Sequence, residues 1–293
     1  MAISIAREAP SRELPTDVLL RLGQQRSQAR LIRFEEQSVP ETTFADLDES
    51  LWRRFLGVHS TDEVTTLHKM KLLTKEEDGH ERVTVAGILL CSRSPERWLP
   101  GGYIEAVRYR GMKRDSNYQI DGKRISGPLD QQIREAVAFA RRNMAVYAVK
   151  QPGRVEIPQY SGRAVFEAVV NAVAHRDYSI HGSKIRLFLF DDRLELYSPG
   201  PLPNTVTIES MPLRQSTRNE LITSLLARCP VEDPTGDVGR QFYMEKRGEG
   251  VPIILEESRK LSGRDPVYLL IDDAELLLTI YAAPAPQGEA ERT

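Results

Sequence analysis

Residues 166–200 read FEAVVNAVAHRDYSIHGSKIRLFLFDDRLELYSPG, and the reading of this stretch decides the fold. Phe166 to His175 are as apolar as a core helix requires, apart from Glu167, Asn171 and His175. Those three are spaced four apart, so a helix would line them along one face. Beyond them Ile185, Leu187 and Leu189, then Leu194 and Leu196, alternate as two strands joined at Asp191-Asp192, with one sheet face buried. SPGPLP closes the hairpin, since no strand continues through such a run. The preceding helix is the natural cover for the buried face. A carboxylate in an apolar helix costs several kcal/mol unless it is paired or hydrated. Exposure to water, or a neighbouring Arg163 or Arg176, would account for Glu167. The other faces of the helix carry Val165, Phe166, Val169, Val170 and Val173, however, and a polar line on such a helix usually borders a cleft.

Working outward, about 45 mixed residues lead to RGEGVPIILEESRKL at 247–261, in which a glycine pair opens an amphipathic helix. Backbone N–H groups left free around Gly248 and Gly250, together with the partial positive charge of the helix N-terminus, would form a phosphate nest. A plain turn is the competing reading of so short a glycine motif. The reversal at Gly200 and an Asx turn at Asn204 are likewise open to a plain-loop reading. VYLLI at 267–271 and ELLLTIYA at 275–282 would extend the sheet, and 284–293 reads as a disordered polar tail.

Toward the N-terminus, QPGRVEIPQY at 151–160 reads as a linker. LDQQIREAVAFARRNMAVYAV, 129–149, reads as a helix, GYIEAVRYRG at 102–111 as a strand, and the polar run 111–127 as a loop or hairpin. Thr84 is placed to cap a short buried helix in TVAGILLCS. Residues 44–73 have helical periodicity in Trp52, Phe55, Leu56, Val64, Leu67, Met70 and Leu73. The expected fold is α+β. An arm at 1–45 precedes a small middle domain at 46–150, whose element order a winged helix shares with many other small folds. An α/β two-layer sandwich follows at 151–283.

With 40 basic and 42 acidic side chains, nothing global calls for nucleic acid or an anionic membrane. No apolar run approaches the roughly 20 residues a membrane span needs. Cys91 and Cys229 are the only cysteines, and the start has no apolar signal core, so free thiols in a reducing cytoplasm are expected. The five histidines show no ligand spacing with them. There is no GxxxxGK[ST] loop, no GxSxG elbow and no HExxH.

FEAVVNAVAHRDYS, GSKIRLFLFDDRLELYSPGPLP, STRN and RGEGVP together resemble the bacterial and archaeal proteins labelled RecG-like ATP-dependent DNA helicases. The C-terminal half of those proteins is a divergent member of the GHKL ATPase superfamily. KLLTKEEDGHERVTVAGILLCSRSPERWLPGGYIEAVRYRG resembles their middle segment. RLGQQRSQA, 21–29, resembles the very end of the AlbA-like, Schlafen-type DNA-binding domain that normally comes first, most of which is expected to be absent here. The resemblance implies that Glu167 is the general base that orients and deprotonates the attacking water, and that Asn171 binds Mg²⁺ beside the triphosphate. Ser198 and Gly200 fall at the adenine-reading turn, where Ser198 stands in place of an aspartate and offers a hydroxyl without the charge. Gly248 and Gly250 match the motif that wraps the phosphates, here in a short form, and His175 completes the same wall of the cleft.

The expected function is a cytoplasmic regulator that binds ATP with Mg²⁺ and hydrolyses it slowly if at all, in transcription control or a stress or phage response. The missing phosphate loop excludes a helicase motor. DNA would be a partner through the middle segment, with Arg93, Arg97, Arg108, Arg110, Lys113 and Arg114, or through the absent N-terminal domain; a homodimer is the other expected partner. Two alternatives stay open: a nucleotide-free interaction or dimerisation module, and a DNA-binding regulator independent of ATP.

Overall fold

The computed structural model describes residues 18, 33–56, 62–77, 79–151, 153–203, 206–232, 236, 238–245 and 248–286. Met1–Arg33 group as one unit and Phe34–Thr293 as another, which is the unit described below. Most of the expected arm and most of the tail lie outside the described residues, as does Asn204.

The described helices are α1 (Glu49–Arg53), α2 (Glu63–Lys69), α3 (Val85–Cys91), α4 (Leu129–Asn143), α5 (Gly162–His175), α6 (Glu220–Leu226) and α7 (Gly250–Ser262). Two short hairpins are present, β1 (Leu73–Lys75) with β2 (Glu81–Val83), and β5 (Val146–Gln151) with β6 (Gly153–Pro158). The main sheet has six strands in the order β4-β3-β7-β8-β10-β9, from β3 (Ile104–Tyr109), β4 (Gln119–Ile125), β7 (Ile185–Leu189), β8 (Arg193–Pro199), β9 (Val267–Ile271) and β10 (Glu275–Tyr281). All its pairs are antiparallel except β3 with β7. The protein is therefore α+β, as the alternation of patterns predicted.

The covered sheet face is the one the alternation marked. Ile185, Leu187, Leu189, Leu194, Leu196, Leu278 and Ile280 are all buried in the main core. Helix α5 packs on β8 and is flanked by α4 and α7. On the opposite face Val107, Tyr109, Phe188 and Phe190 form a second, smaller cluster, in which Tyr109 stacks on Phe190 at 5.3 Å. Thr84 caps α3 as expected: its Oγ1 accepts from Gly87 N–H at 3.0 Å. Every residue of that helix is buried.

Three expectations need correction. The helix from Leu129 ends at Asn143, because Met144 turns extended (ψ 149°) and Val146–Gln151 pairs as β5. Most of the segment read as a linker is the second strand of that hairpin, which opens with Gly153 paired to Gln151. Finally, β3 pairs in parallel with β7, so the sheet runs across the boundary expected at 150. Residues 34–45, expected in the arm, are built into the same unit. Glu35 is 1% exposed, and its two carboxylate oxygens accept from the N–H groups of Leu221 and Ile222 at the start of α6, at 2.9 and 2.8 Å.

Candidate functional site around helix α5

Helix α5 begins at Ser161, whose Oγ accepts from Ala164 N–H. It ends at His175, since Arg176 is extended (ψ 141°), and the side-chain amide of Asn219 donates to the carbonyls of Ala174 and Arg176 at 3.0 and 2.8 Å. These bonds satisfy carbonyls that a helix end otherwise leaves open. Residues 164–170 are buried throughout. The polar line therefore runs from a buried Glu167, 5% exposed, to half-buried Asn171 and His175.

The hydrogen-bonded partner of Glu167 is Arg240, with the charge of Arg163 acting in the same sense from further away. Arg240 Nε donates to Glu167 Oε1 at 2.7 Å, and the two side chains are each 7% exposed. Arg240 Nη1 also pairs with Glu245, and lies 3.7 Å from Glu249. Burial raises the Glu167 carboxyl above its ordinary value, against the opposing hydrogen bond from Arg240. The loop that presents Arg240 is anchored on both sides. Val238 is buried, Tyr243 stacks on Phe166 at 6.0 Å, and Tyr243 N–H donates to Cys229 O at 3.2 Å.

The N-terminus of α7 lies directly over this polar line. A methyl group at Gly250 would sit 2.9 Å from Asn171 Nδ2 and 3.2 Å from Glu167 Oε2. Only a residue without Cβ allows that approach. Glu249, the N-cap residue, makes no side-chain capping bond; Pro252 has no N–H and Ile253 N–H donates to Glu249 O at 2.9 Å, so Gly250 and Val251 are the first-turn residues whose N–H groups could meet a ligand. Gly248, exposed, packs against the side chain of Gln215.

Ser198, Gly200 and His175 gather around the other end of α5. Ser198 Oγ donates to Ala172 O at 3.0 Å. Gly200 has φ +117°, and any Cβ would run into Arg218 Nη1 and Asp177. Its N–H donates to Ala274 O at 2.7 Å, and Asp177 N–H donates to Pro199 O at 2.8 Å, so the turn is tied to the segment just after α5 and to the turn that leads into β10. Arg218 holds the far side, donating to Pro201 O at 2.6 Å. His175 Nδ1 has no hydrogen-bond partner among the described residues. Burial first, and the charge of Arg218 second, lower the His175 pKa to about 4.

The structure thus brings Glu167, Asn171 and Gly250 into one contact, and places His175 one to two helical turns further along the same helix, with Ser198 at the end of β8 bonded to Ala172 O and Gly200 in the turn that follows. Arg240, Glu245, Glu249 and Gln215 also belong to this neighbourhood. Sequence reasoning missed them because Arg240 lies 73 residues from its partner, in a loop with no periodicity. Among the described residues, no three His, Cys, Asp or Glu side chains come together as a metal site. Asn171 Oδ1 still suits Mg²⁺, a hard cation that takes few protein ligands and fills its shell from phosphate and water. Of the six basic residues of the middle segment, Arg93 pairs with Asp48 at 2.8 Å and Arg108 with Asp191 at 2.5 Å. Arg97 lies over Trp98 and Arg114 over Phe188, while Arg110 and Lys113 are exposed. No described helix is long and apolar enough to cross a membrane.

Residues 182–280 match the family model described as "Putative ATP-dependent DNA helicase recG C-terminal". The match takes in β7 to β10, Ser198, Gly200 and the opening of α7; it begins after Glu167, Asn171 and His175. No curated protein matches the chain. Among solved structures, eleven chains match. One is the DIP2311 protein from Corynebacterium diphtheriae, with TM-score 0.59 and 17% identity over 96% of this chain. This chain spans about half of that one, 53%, and a likeness at that identity speaks for the fold alone. Residues 182–280 are therefore similar to the C-terminal, ATPase-type domain of the RecG-like proteins.

Proposed function

We propose that the protein is a regulator that binds ATP with Mg²⁺ between the polar line of α5 and the N-terminus of α7. The observation that carries this reading is the contact at Gly250. One glycine brings a helix N-terminus, a carboxylate and an amide oxygen within reach of a single ligand. Phosphates would take the first-turn N–H groups of α7 around Gly248 and Gly250. Asn171 Oδ1 would hold Mg²⁺, which supplies charge neutralisation when bound. Glu167 would act as general base through Oε2, the oxygen that faces Gly250, with Oε1 held by Arg240. Ser198, Gly200 and His175 would border the base. Turnover is slow in this reading, because the carboxylate is shared with a guanidinium. Signalling would pass to DNA or to a second copy of the chain, in transcription control or a stress or phage response in the cytoplasm.

A second reading is favoured by Ser198, whose hydroxyl proton is spent on Ala172 O and which brings no charge to read an amino group. In that reading the fold is kept as a nucleotide-free interaction module. Calorimetric titration with Mg·ATP separates the two. The first predicts saturable heat that Asn171→Ala reduces at least about tenfold in affinity, ~1.4 kcal/mol. Absence of heat and of any thermal shift at millimolar Mg·ATP would leave the second standing. A salt-dependent mobility shift on duplex DNA tests the partner.

A further inference from the structure

Arg240 has two working edges. Nε is committed to Glu167 in a pair that is closed to solvent on both sides. Nη1 is held by Glu245 and, more distantly, Glu249, whose side chains are 32% and 48% exposed. The inner contact is fixed by burial, whereas the outer one can be exchanged with solvent or with a ligand. These three carboxylates surround one guanidinium at the helix terminus where the phosphates are proposed to lie, so an anion entering there meets Glu245 and Glu249 first.

Resting on the nucleotide reading above, we infer that Arg240 is the residue that senses the terminal phosphate. The phosphate displaces Glu245 and Glu249 from Nη1, while Nε keeps its hold on Glu167. If Glu167 directs a water at the terminal phosphorus, a side chain bonded to Glu167 is within one guanidinium width of that phosphate. A single arginine then reads the phosphate and aims the carboxylate together, as one planar fork can. Nucleoside triphosphate is distinguished from diphosphate at this residue.

The test is calorimetry with Mg·ATP and Mg·ADP on the full chain. Wild type should prefer ATP. Arg240→Met should weaken ATP by about tenfold to a hundredfold, the range of a charge-assisted hydrogen bond, and change ADP less than about threefold. Arg240→Lys should recover part of the loss. The double variant Glu245→Gln, Glu249→Gln removes exposed competitors and leaves the buried pair alone, so it remains informative if Arg240→Met does not fold. It should strengthen ATP binding several-fold and leave ADP unchanged. Equal losses for ATP and ADP, or weaker ATP binding in the double variant, would overturn the inference while the nucleotide reading survives. Wild type that binds neither nucleotide would overturn the reading itself.

Discussion

Replacing Gly250 by alanine separates the proposed site from the scaffold that carries it. Gly250 is the first residue of α7, in helical conformation, so the backbone accepts alanine. The exchange favours the helix by up to about 1 kcal/mol. The added methyl would press on the ends of two side chains, 2.9 Å from Asn171 Nδ2 and 3.2 Å from Glu167 Oε2. Glu167 is held by Arg240, so Asn171 must rotate, at roughly 0.5–1.5 kcal/mol. The two effects nearly cancel. Net stability should stay within about 1 kcal/mol, a Tm change within roughly 2–4 °C for a unit of this size. Binding should not escape in the same way, because the methyl occupies the gap over the polar line and Asn171 Oδ1 has turned away. Mg·ATP affinity should fall at least about tenfold. Thermal unfolding by circular dichroism and calorimetric titration of the same preparations give the two numbers. Unchanged Tm with unchanged affinity would refute the placement of the ligand. A Tm drop well beyond the stated range would refute the claim that Asn171 yields.

Further outcomes follow from other contacts. The depressed pKa of His175, about 4 against 6.5, means that the unfolded chain takes up the proton first. Its contribution is complete above about pH 6.5 and is lost as pH falls toward 4, on the order of 3 kcal/mol. Urea midpoints between pH 7 and 4 should show that slope shrink in His175→Gln, and an unchanged slope would assign it to other groups. Glu35→Ala removes the acceptor for two N–H groups at the start of α6 and should cost about 2–3 kcal/mol in chemical denaturation. Glu35→Gln, which keeps one acceptor oxygen, should recover part of it.

Much of the scaffold was legible because burial imposes period. Ile185, Leu187 and Leu189 face the helices, as their alternation required, and the cap at Thr84 follows from its hydroxyl and the apolar run behind it. The sequence failed where pairing joined distant segments. Nothing local in QPGRVEIPQY tells a linker from the return strand of a hairpin, since β6 is defined by its partner β5. The parallel pair β3 with β7 joins residues some eighty positions apart, so the sheet crosses a boundary that composition suggested. For the candidate site, the helix line was readable from a spacing of four, as was the glycine pair that opens α7. Arg240 was not: its relation to Glu167 is set by loop anchors at Val238 and Tyr243, and the two nearer arginines offered a more obvious but incorrect partner.

The most direct test of the proposed nucleotide site is a crystal structure of the full chain with Mg²⁺ and a non-hydrolysable ATP analogue. The expected result is phosphates against the first turn of α7 at Gly250, Mg²⁺ on Asn171 Oδ1, and the base beside Ser198 and Gly200. Nucleotide bound elsewhere, or a gap between α5 and α7 that stays free of ligand at saturating analogue, would contradict it.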